Sequence, residues 1–422
     1  MFLNKVITAS LLFVGMLFLI SSFVFFIDSN KENYNTSYRK AADTKGGFGG
    51  KIIKVTNLNP SGEGSFFEAV RTKGKRIVVF EVGGVIDLEE KLITIRDPYL
   101  TIAGQTAPSP GITFINGGIL ISTHDIIIQH IRIRPGNNNR QKTWSVDALS
   151  TKAAYNVIID HCSFSWATDE NLSASGPRFE GNSPDEWRKN TSNRITFSNN
   201  IIAEGLRFST HEYGEHSKGT LIHDNVTDVL ISNNLYANNM DRNPYMKGGT
   251  SGVIVNNYIY NPGKAAIRYN LAAREWSGHS YQTGRWSIVG NVMELGHDSN
   301  KISMLDIMNG PVQIYIEDNI AKGNKDEEVS IVTGDRSKIT KTKPIWFDQL
   351  SVLSSNKVKE NVLANAGARP WDRDEIDIRL IKGILNKKSK IIDNEDEVGG
   401  YPKRSESRRS FKKSDWNFKE LY

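Results

Sequence analysis

Asp125-Ile-Ile-Ile-Gln-His130 and Asn156-Val-Ile-Ile-Asp-His161 are two copies of one pattern, a short β-branched run that ends on His, Asn or Gly. Upstream the pattern starts at Tyr99-Leu-Thr-Ile-Ala-Gly104. Downstream it returns as Arg194-Ile-Thr-Phe-Ser-Asn199, Asp228-Val-Leu-Ile-Ser-Asn233, Ser251-Gly-Val-Ile-Val-Asn256, Trp286-Ser-Ile-Val-Gly-Asn291 and Ile314-Tyr-Ile-Glu-Asp-Asn319. Successive ends differ by 26, 31, 38, 34, 23, 35 and 28 residues. Each run is too short and too β-branched for a helix. No helical pattern separates one run from the next, which argues against strand–helix–strand units. A repeat made only of strands and turns at this period predicts an all-β chain folded as a parallel β-helix, a solenoid with one strand of each sheet per coil. Recurrent Asn fits the same reading, because Asn tolerates the left-handed backbone region and its amide can bond its counterpart in the next coil. A β-sandwich with uneven strands is the competing architecture and gives no reason for the repeated Asn. On the solenoid reading, Ile127, Ile158, Phe197, Leu230 and Ile254 are predicted to stack as successive core positions along one sheet.

The spacing varies because loops are inserted, and the longest interval runs from His161 to Asn199. It contains Ser173–Ser192, rich in Gly, Pro, Ser and charge, which is predicted to be a large loop over the solenoid. Loops of this kind on a rigid scaffold are where a binding groove is built.

The flanks divide the 422 residues further. Lys5 precedes a charge-free run from Val6 to Ile27, as long as a short bilayer span. Residues 1–29 therefore read as a signal peptide or signal anchor, with the rest of the chain exported and membrane anchoring through residues 6–27 an open alternative. Residues 30–48 read as a polar linker, 49–402 as the β-helix domain and 403–422 as a basic tail. That tail holds seven basic residues against three acids, and so four of the net +6 charges. The body is close to neutral and makes no case for nucleic acid; the tail reads as a solvated arm. After about residue 325 the pattern dissolves into charged sequence, predicted to form loops and a helix packed on the solenoid. The single cysteine, Cys162, cannot form an intrachain disulfide and reads as a small buried hydrophobe.

Three constellations carry candidate chemistry. Asp147, Asp160 and the Asp169-Glu170 pair are spread over neighbouring coils, and stacking would bring Asp147 and Asp169 to one face as hard oxygen ligands for Ca²⁺. Glu215-His-Ser-Lys218 places a lysine beside a strand. Asp241-Arg-Asn-Pro-Tyr-Met-Lys247 places Arg242 and Lys247 five residues apart across a proline. Cations opposite a carboxylate-bound metal suit a polyanionic substrate. His211 and His216 lack the spacing of a zinc helix and read as groove or loop residues.

Together these segments make the chain similar to the pectate lyase family, polysaccharide lyase family 1, over about residues 46–402. The resemblance rests on Ile158-Ile-Asp-His-Cys-Ser-Phe-Ser-Trp-Ala-Thr-Asp-Glu-Asn-Leu-Ser173, His216-Ser-Lys-Gly-Thr-Leu-Ile222 and Arg242-Asn-Pro-Tyr-Met-Lys247. Lys54-Val-Thr-Asn-Leu-Asn59, Thr101-Ile-Ala-Gly-Gln-Thr-Ala-Pro108, Arg373-Asp-Glu-Ile-Asp377 and Val398-Gly-Gly-Tyr-Pro402 flank it in order. It implies a right-handed parallel β-helix and calcium-assisted β-elimination of a uronate polymer such as polygalacturonate or pectin. Carried over by position, Arg242 corresponds to the base, Lys218 and Lys247 to binders of substrate carboxylates, and Asp147, Asp169 and Glu170 to metal ligands. The implied partner is an acidic polysaccharide, and the implied state a monomer. Two positions depart from the family pattern: Lys247 stands where an arginine is usual, and Ser173 where a second aspartate follows Asp169. A β-helical glycoside hydrolase on the same polymer would need two or three close carboxylates and lacks its expected pattern here. A non-catalytic glycan-binding β-helix is the other alternative.

Overall fold

In the computed structural model the residues described are 41–138, 140, 143–348 and 350–417. The apolar run of residues 6–27 and the rest of the expected signal segment lie outside them. Among the described residues no helix is long and apolar enough to cross a membrane.

The repeating runs are strands, and each coil of the chain contributes one strand to each of three sheets. The first sheet has ten strands, from Lys51–Val55 through Tyr155–Asp160 to Val312–Glu317. The second has nine, from Leu92–Ile95 through Glu170–Ser175 to Val332–Gly334, and the third runs from Val82–Asp87 to Ile320–Lys322. Strands of successive coils are parallel, as in Val157↔Ile195 and Leu172↔Thr220. This is a parallel β-helix.

Inside, one row climbs in register from Ile102 through Ile128, Ile159, Phe197, Ile231 and Ile254 to Ile288. All are buried in one cluster, and each such side chain contributes about 1.5–3 kcal/mol relative to exposure. The expected core row is corrected in part. Its five residues share the first sheet, but only Phe197 and Ile254 belong to this inner row. Ile127, Ile158 and Leu230 belong to the adjacent row, which runs in register from Thr101 through Ile127, Ile158 and Thr196 to Leu230. Ile127 and Ile158 face outward and are covered by Ala42. A strand's faces alternate with period two, and where Ile127 and Ile158 are covered on the outer face the apolar strand centre carries no polar alternation to reveal the parity.

The Asn repeats divide two tasks between adjacent residues. Asn199, Asn233 and Asn256 hold left-handed φ values of 54°, 54° and 55° at the turn. Their neighbours Asn200, Asn234 and Asn257, continued by Asn291 and Asn319, form the ladder, each amide nitrogen donating to the next Oδ1 at 2.9–3.1 Å. Cys162 takes the next ladder position, its backbone N–H donating to Asn200 Oδ1 at 2.8 Å. It is buried, and burial pushes its thiol pKa up, as expected of a packing cysteine.

Several flanking segments are docked. Two helices, Ser355–Asn365 and Glu375–Leu385, cover the third sheet through Val358, Val362, Leu380 and Ile384 against Leu235, Tyr258 and Val292. Asp374 and Asp377 clamp the buried Arg134 at 2.6–3.1 Å, so the Arg373–Asp377 motif has a structural task. Residues 41–48, assigned to the linker from sequence, lie against the first sheet, with the Gly47 N–H donating to Thr101 Oγ1 at 3.0 Å. The tail, expected to be a solvated arm, is tied down over 407–416. Ser407–Arg408 pairs antiparallel with Val82–Gly83, and Phe411 and Trp416 pack on Ile77, Val79 and Ala103. Two aromatics among the basic residues decide this, and net charge did not reveal them.

Candidate active site

The chemistry-bearing residues gather on the second sheet and the turns that lead into it. Glu170 opens its strand and pairs in register with Lys218, which bridges to Asp241 in the next coil. Asp147 precedes the neighbouring strand. Its Oδ1 accepts the Glu170 N–H at 3.1 Å and its Oδ2 accepts the Ser173 hydroxyl at 2.6 Å. Ser173 therefore holds a carboxylate at the position where the family pattern leads one to expect another.

Asp147, Asp169 and Glu170 place one carboxylate oxygen each within 4.8 Å of one another. Burial, reinforced by the charge of Asp169, pushes Asp147 up to about 7. Burial would raise Asp169 too, but the hydrogen bond and charge of His216, with His211 and Arg242, outweigh it and hold that group low. Two acids in contact thus diverge because only one has imidazole partners. Three crowded hard oxygen donors, one of them reluctant to ionise, fit the demand of a divalent cation such as Ca²⁺.

Asp169 Oδ1 meets His216 Nε2 at 2.8 Å and His211 Nε2 at 3.6 Å, the two rings stacking at 3.6 Å. The Tyr213 backbone N–H donates to His211 Nδ1 at 3.2 Å. A neutral His211 must then carry its proton on Nε2, facing Asp169, which suits a hydrogen-bond donor to the carboxylate and not a metal ligand.

Arg242 has left-handed backbone (φ 62°) and extends its guanidinium to the Glu170 carboxylate. Burial lowers its pKa, against the opposing charges of Asp169 and Asp147. Behind it runs a second buried amide chain: Asn171 to Asn239 at 3.2 Å, and Asn239 to Asn243 at 3.0 Å. Asn171 follows Glu170 and Asn243 follows Arg242, so this chain locks the two site turns together. The doublet Asn238-Asn239, like Asn199-Asn200 and Asn233-Asn234, was the available signal for it.

The lysines differ from each other. Lys218 Nζ lies 3.7 Å from Asp241 Oδ2, and burial lowers its pKa. Arg268, missed from sequence, bridges Asp241 and Asp306 at 3.1 Å each. Lys247 is sequestered: its Nζ lies 3.2 Å from Asp224 Oδ2 and against Glu275. Asp160 stays apart on the first sheet, bonded to His161, Ser198 and Asn199.

No family model matches the chain. A probable pectate lyase C of Emericella nidulans is 32% identical over 371 residues, covering 85% of this chain and 77% of that one. Its counterpart in Aspergillus flavus is 32% identical over 374 residues, covering 85% and 79%. Among solved structures, a Bacillus subtilis pectate lyase variant superposes with a TM-score of 0.51 at 14% identity, covering 79% of this chain and 99% of its own. The major allergen of cedar pollen gives 0.51 at 17% identity, covering 77% and 90%. These distant structures speak for the fold, and the curated relatives, matched along most of both chains, speak for descent. The chain belongs to the pectate lyase family.

Proposed function

We propose that this protein is an exported polysaccharide lyase that cleaves a polygalacturonate or pectin chain by β-elimination, with Arg242 as the base. The observation that carries the reading is Arg242 projecting from a left-handed turn beside three converging carboxylates. Asp147, Asp169 and Glu170 would hold the calcium ion. When bound, that ion supplies positive charge to the uronate carboxylate on which negative charge develops.

The chain's own groups do the rest. A proton α to a carboxylate is acidic only as far as the resulting anion is stabilised. A guanidinium with a pKa above about 12 is a scarce base, and the burial of Arg242 shifts it in the required direction. Neutral Arg242 takes the C5 proton, the C5–H electrons form the C4–C5 double bond, and the C4–oxygen bond breaks to release the remaining chain. Lys218, on the strand next to Glu170, binds a substrate carboxylate. Ser173, His211 and His216 orient Asp147 and Asp169. The charge-free run of residues 6–27 supports export.

Ultraviolet absorbance during incubation with polygalacturonate and pectin, with and without a chelator, tests the reading. Elimination gives an absorbing unsaturated product that is lost with chelator and restored by Ca²⁺. Shortened chains without absorbance would mean hydrolysis, and intact polymer would mean a binding protein.

A further inference from the structure

The loop 205–217 leads into the strand that begins at Lys218, and through His211 and His216 it stands beside the metal end of the site. It is tied down at its base. The His216 N–H donates to the Arg207 carbonyl at 2.7 Å, and Arg207 Nε lies 2.8 Å from Asp393 Oδ1. Midway, the Trp144 N–H donates to the Thr210 carbonyl at 3.1 Å, and Thr210 Oγ1 donates to the Trp144 carbonyl at 2.9 Å. At the tip the Gly214 N–H donates to the His211 carbonyl at 3.1 Å, and this turn carries Tyr213. We propose that Tyr213 is a further substrate-binding residue, a platform on which the apolar face of a uronate ring stacks beside the metal end. The proposal rests on the lyase reading above and adds a contact to that same site.

Position and exposure carry the argument. The Tyr213 and His211 rings lie 5.4 Å apart, centroid to centroid, and His211 Nε2 lies 3.6 Å from Asp169 Oδ1. One imidazole therefore separates the phenol from a carboxylate of the calcium set. Tyr213 is nevertheless 80% exposed. A lone exposed aromatic is ordinary on a surface. At the tip of a tied loop beside a reaction centre it is also preorganised, because little freedom is left to lose on binding.

Other aromatics around the site are already engaged. Trp144 carries the Arg140 guanidinium over its ring at 3.6 Å, and Phe208 carries that of Arg207 at 4.9 Å. On the loops that leave the second sheet, Phe179, Trp187 and Trp276 pack against one another. Among the described residues Tyr213 has no such cover. A galacturonate ring turns its C–H bonds at C3, C4 and C5 to one side, and the negative face of an aromatic ring attracts polarised C–H bonds. Stacking uses that side of the sugar and leaves its carboxylate to the cations.

The test measures KM and kcat on polygalacturonate in excess Ca²⁺, and the Ca²⁺ needed for half-maximal rate, for the native chain, Tyr213→Ala and Tyr213→Phe. The bond to His211 Nδ1 comes from the Tyr213 backbone N–H at 3.2 Å, so both substitutions keep it and isolate the ring. Thermal melts confirm that each variant is folded. Tyr213→Ala should raise KM about fivefold, the size of one aromatic contact, with kcat and the Ca²⁺ requirement unchanged. Tyr213→Phe should restore KM to within about twofold of native, since the platform uses the ring and not the hydroxyl. A native KM in Tyr213→Ala overturns the proposal. So does a Tyr213→Phe variant as impaired as Tyr213→Ala, which would assign the effect to the hydroxyl. A raised Ca²⁺ requirement in Tyr213→Ala overturns it too, because Tyr213 would then act through His211. All three leave the lyase reading intact, whereas no unsaturated product from the native chain overturns both.

Discussion

The two ends of the site are built from the same residue types in different proportions. At one end Asp147, Asp169 and Glu170 converge with Arg242 as their guanidinium partner. At the other, Asp224 and Glu275 are matched by Lys247 and Arg178. The first set is short of positive charge and holds one acid, Asp147, reluctant to ionise. The second is complete in itself. An incomplete set recruits a cation from outside, whereas a closed square resists any further charge. Lys247, expected from the family resemblance to bind a substrate carboxylate, pairs with the closed set, and Lys218 lies on the strand next to Glu170.

The comparison breaks most visibly at Arg242. Arg242→Lys keeps the charge but moves the basic atom, so turnover should fall about 10²–10⁴-fold with folding intact. Single-turnover rates in excess Ca²⁺ check this, and retention of most activity would remove Arg242 as the base. Asp147→Ala or Asp169→Ala should raise the Ca²⁺ needed for half-maximal rate by about tenfold or more, read by titration against chelator buffers. A requirement unchanged in both would place the metal elsewhere.

At the closed end the expected effects are on stability. Lys247→Ala leaves Asp224 buried with Arg178 as its remaining cation, and should destabilise the fold by roughly 1–3 kcal/mol in denaturant unfolding. Lys218→Ala should leave the midpoint nearly unchanged and raise KM. Equal behaviour of the two lysines would erase the distinction between the ends. The remaining effect is on pH. Asp147 holds its proton up to about 7 when folded, against 3.8 ordinarily, so the folded chain binds more protons between those values. Without metal, stability should therefore fall as pH rises from about 4 to about 7. Thermal melts across that window check the slope, which Ca²⁺ should flatten.

Several of these residues were legible along the chain and several were not. The strand–Asn repeat reported the solenoid because each coil must satisfy the same turn and the same ladder. Asp147, Asp169 and Glu170 were readable because coil stacking turns a repeat's spacing into adjacency, and Asn239 was within reach through the doublet Asn238-Asn239. Arg178, Asp224 and Glu275 were out of reach. They come from one strand end and two loops whose lengths follow no repeat, and an isolated charged residue carries no sign of its partner.

The amino-acid sequence by itself determined the β-helix, the family and the coils that carry Asp147, Asp169, Glu170, Lys218 and Arg242, because periodic β-branched runs and turn residues act locally and repeat. The tertiary structure alone decided which face Ile127 and Ile158 present, whether the basic tail docks, and which carboxylates each lysine pairs with. Those outcomes depend on strand parity where the first sheet is covered on both faces, on two tail aromatics finding a site on the first sheet, and on Asp224 and Glu275 closing over Lys247. They are distances between parts of the chain far apart in sequence, fixed only when the coils and loops pack.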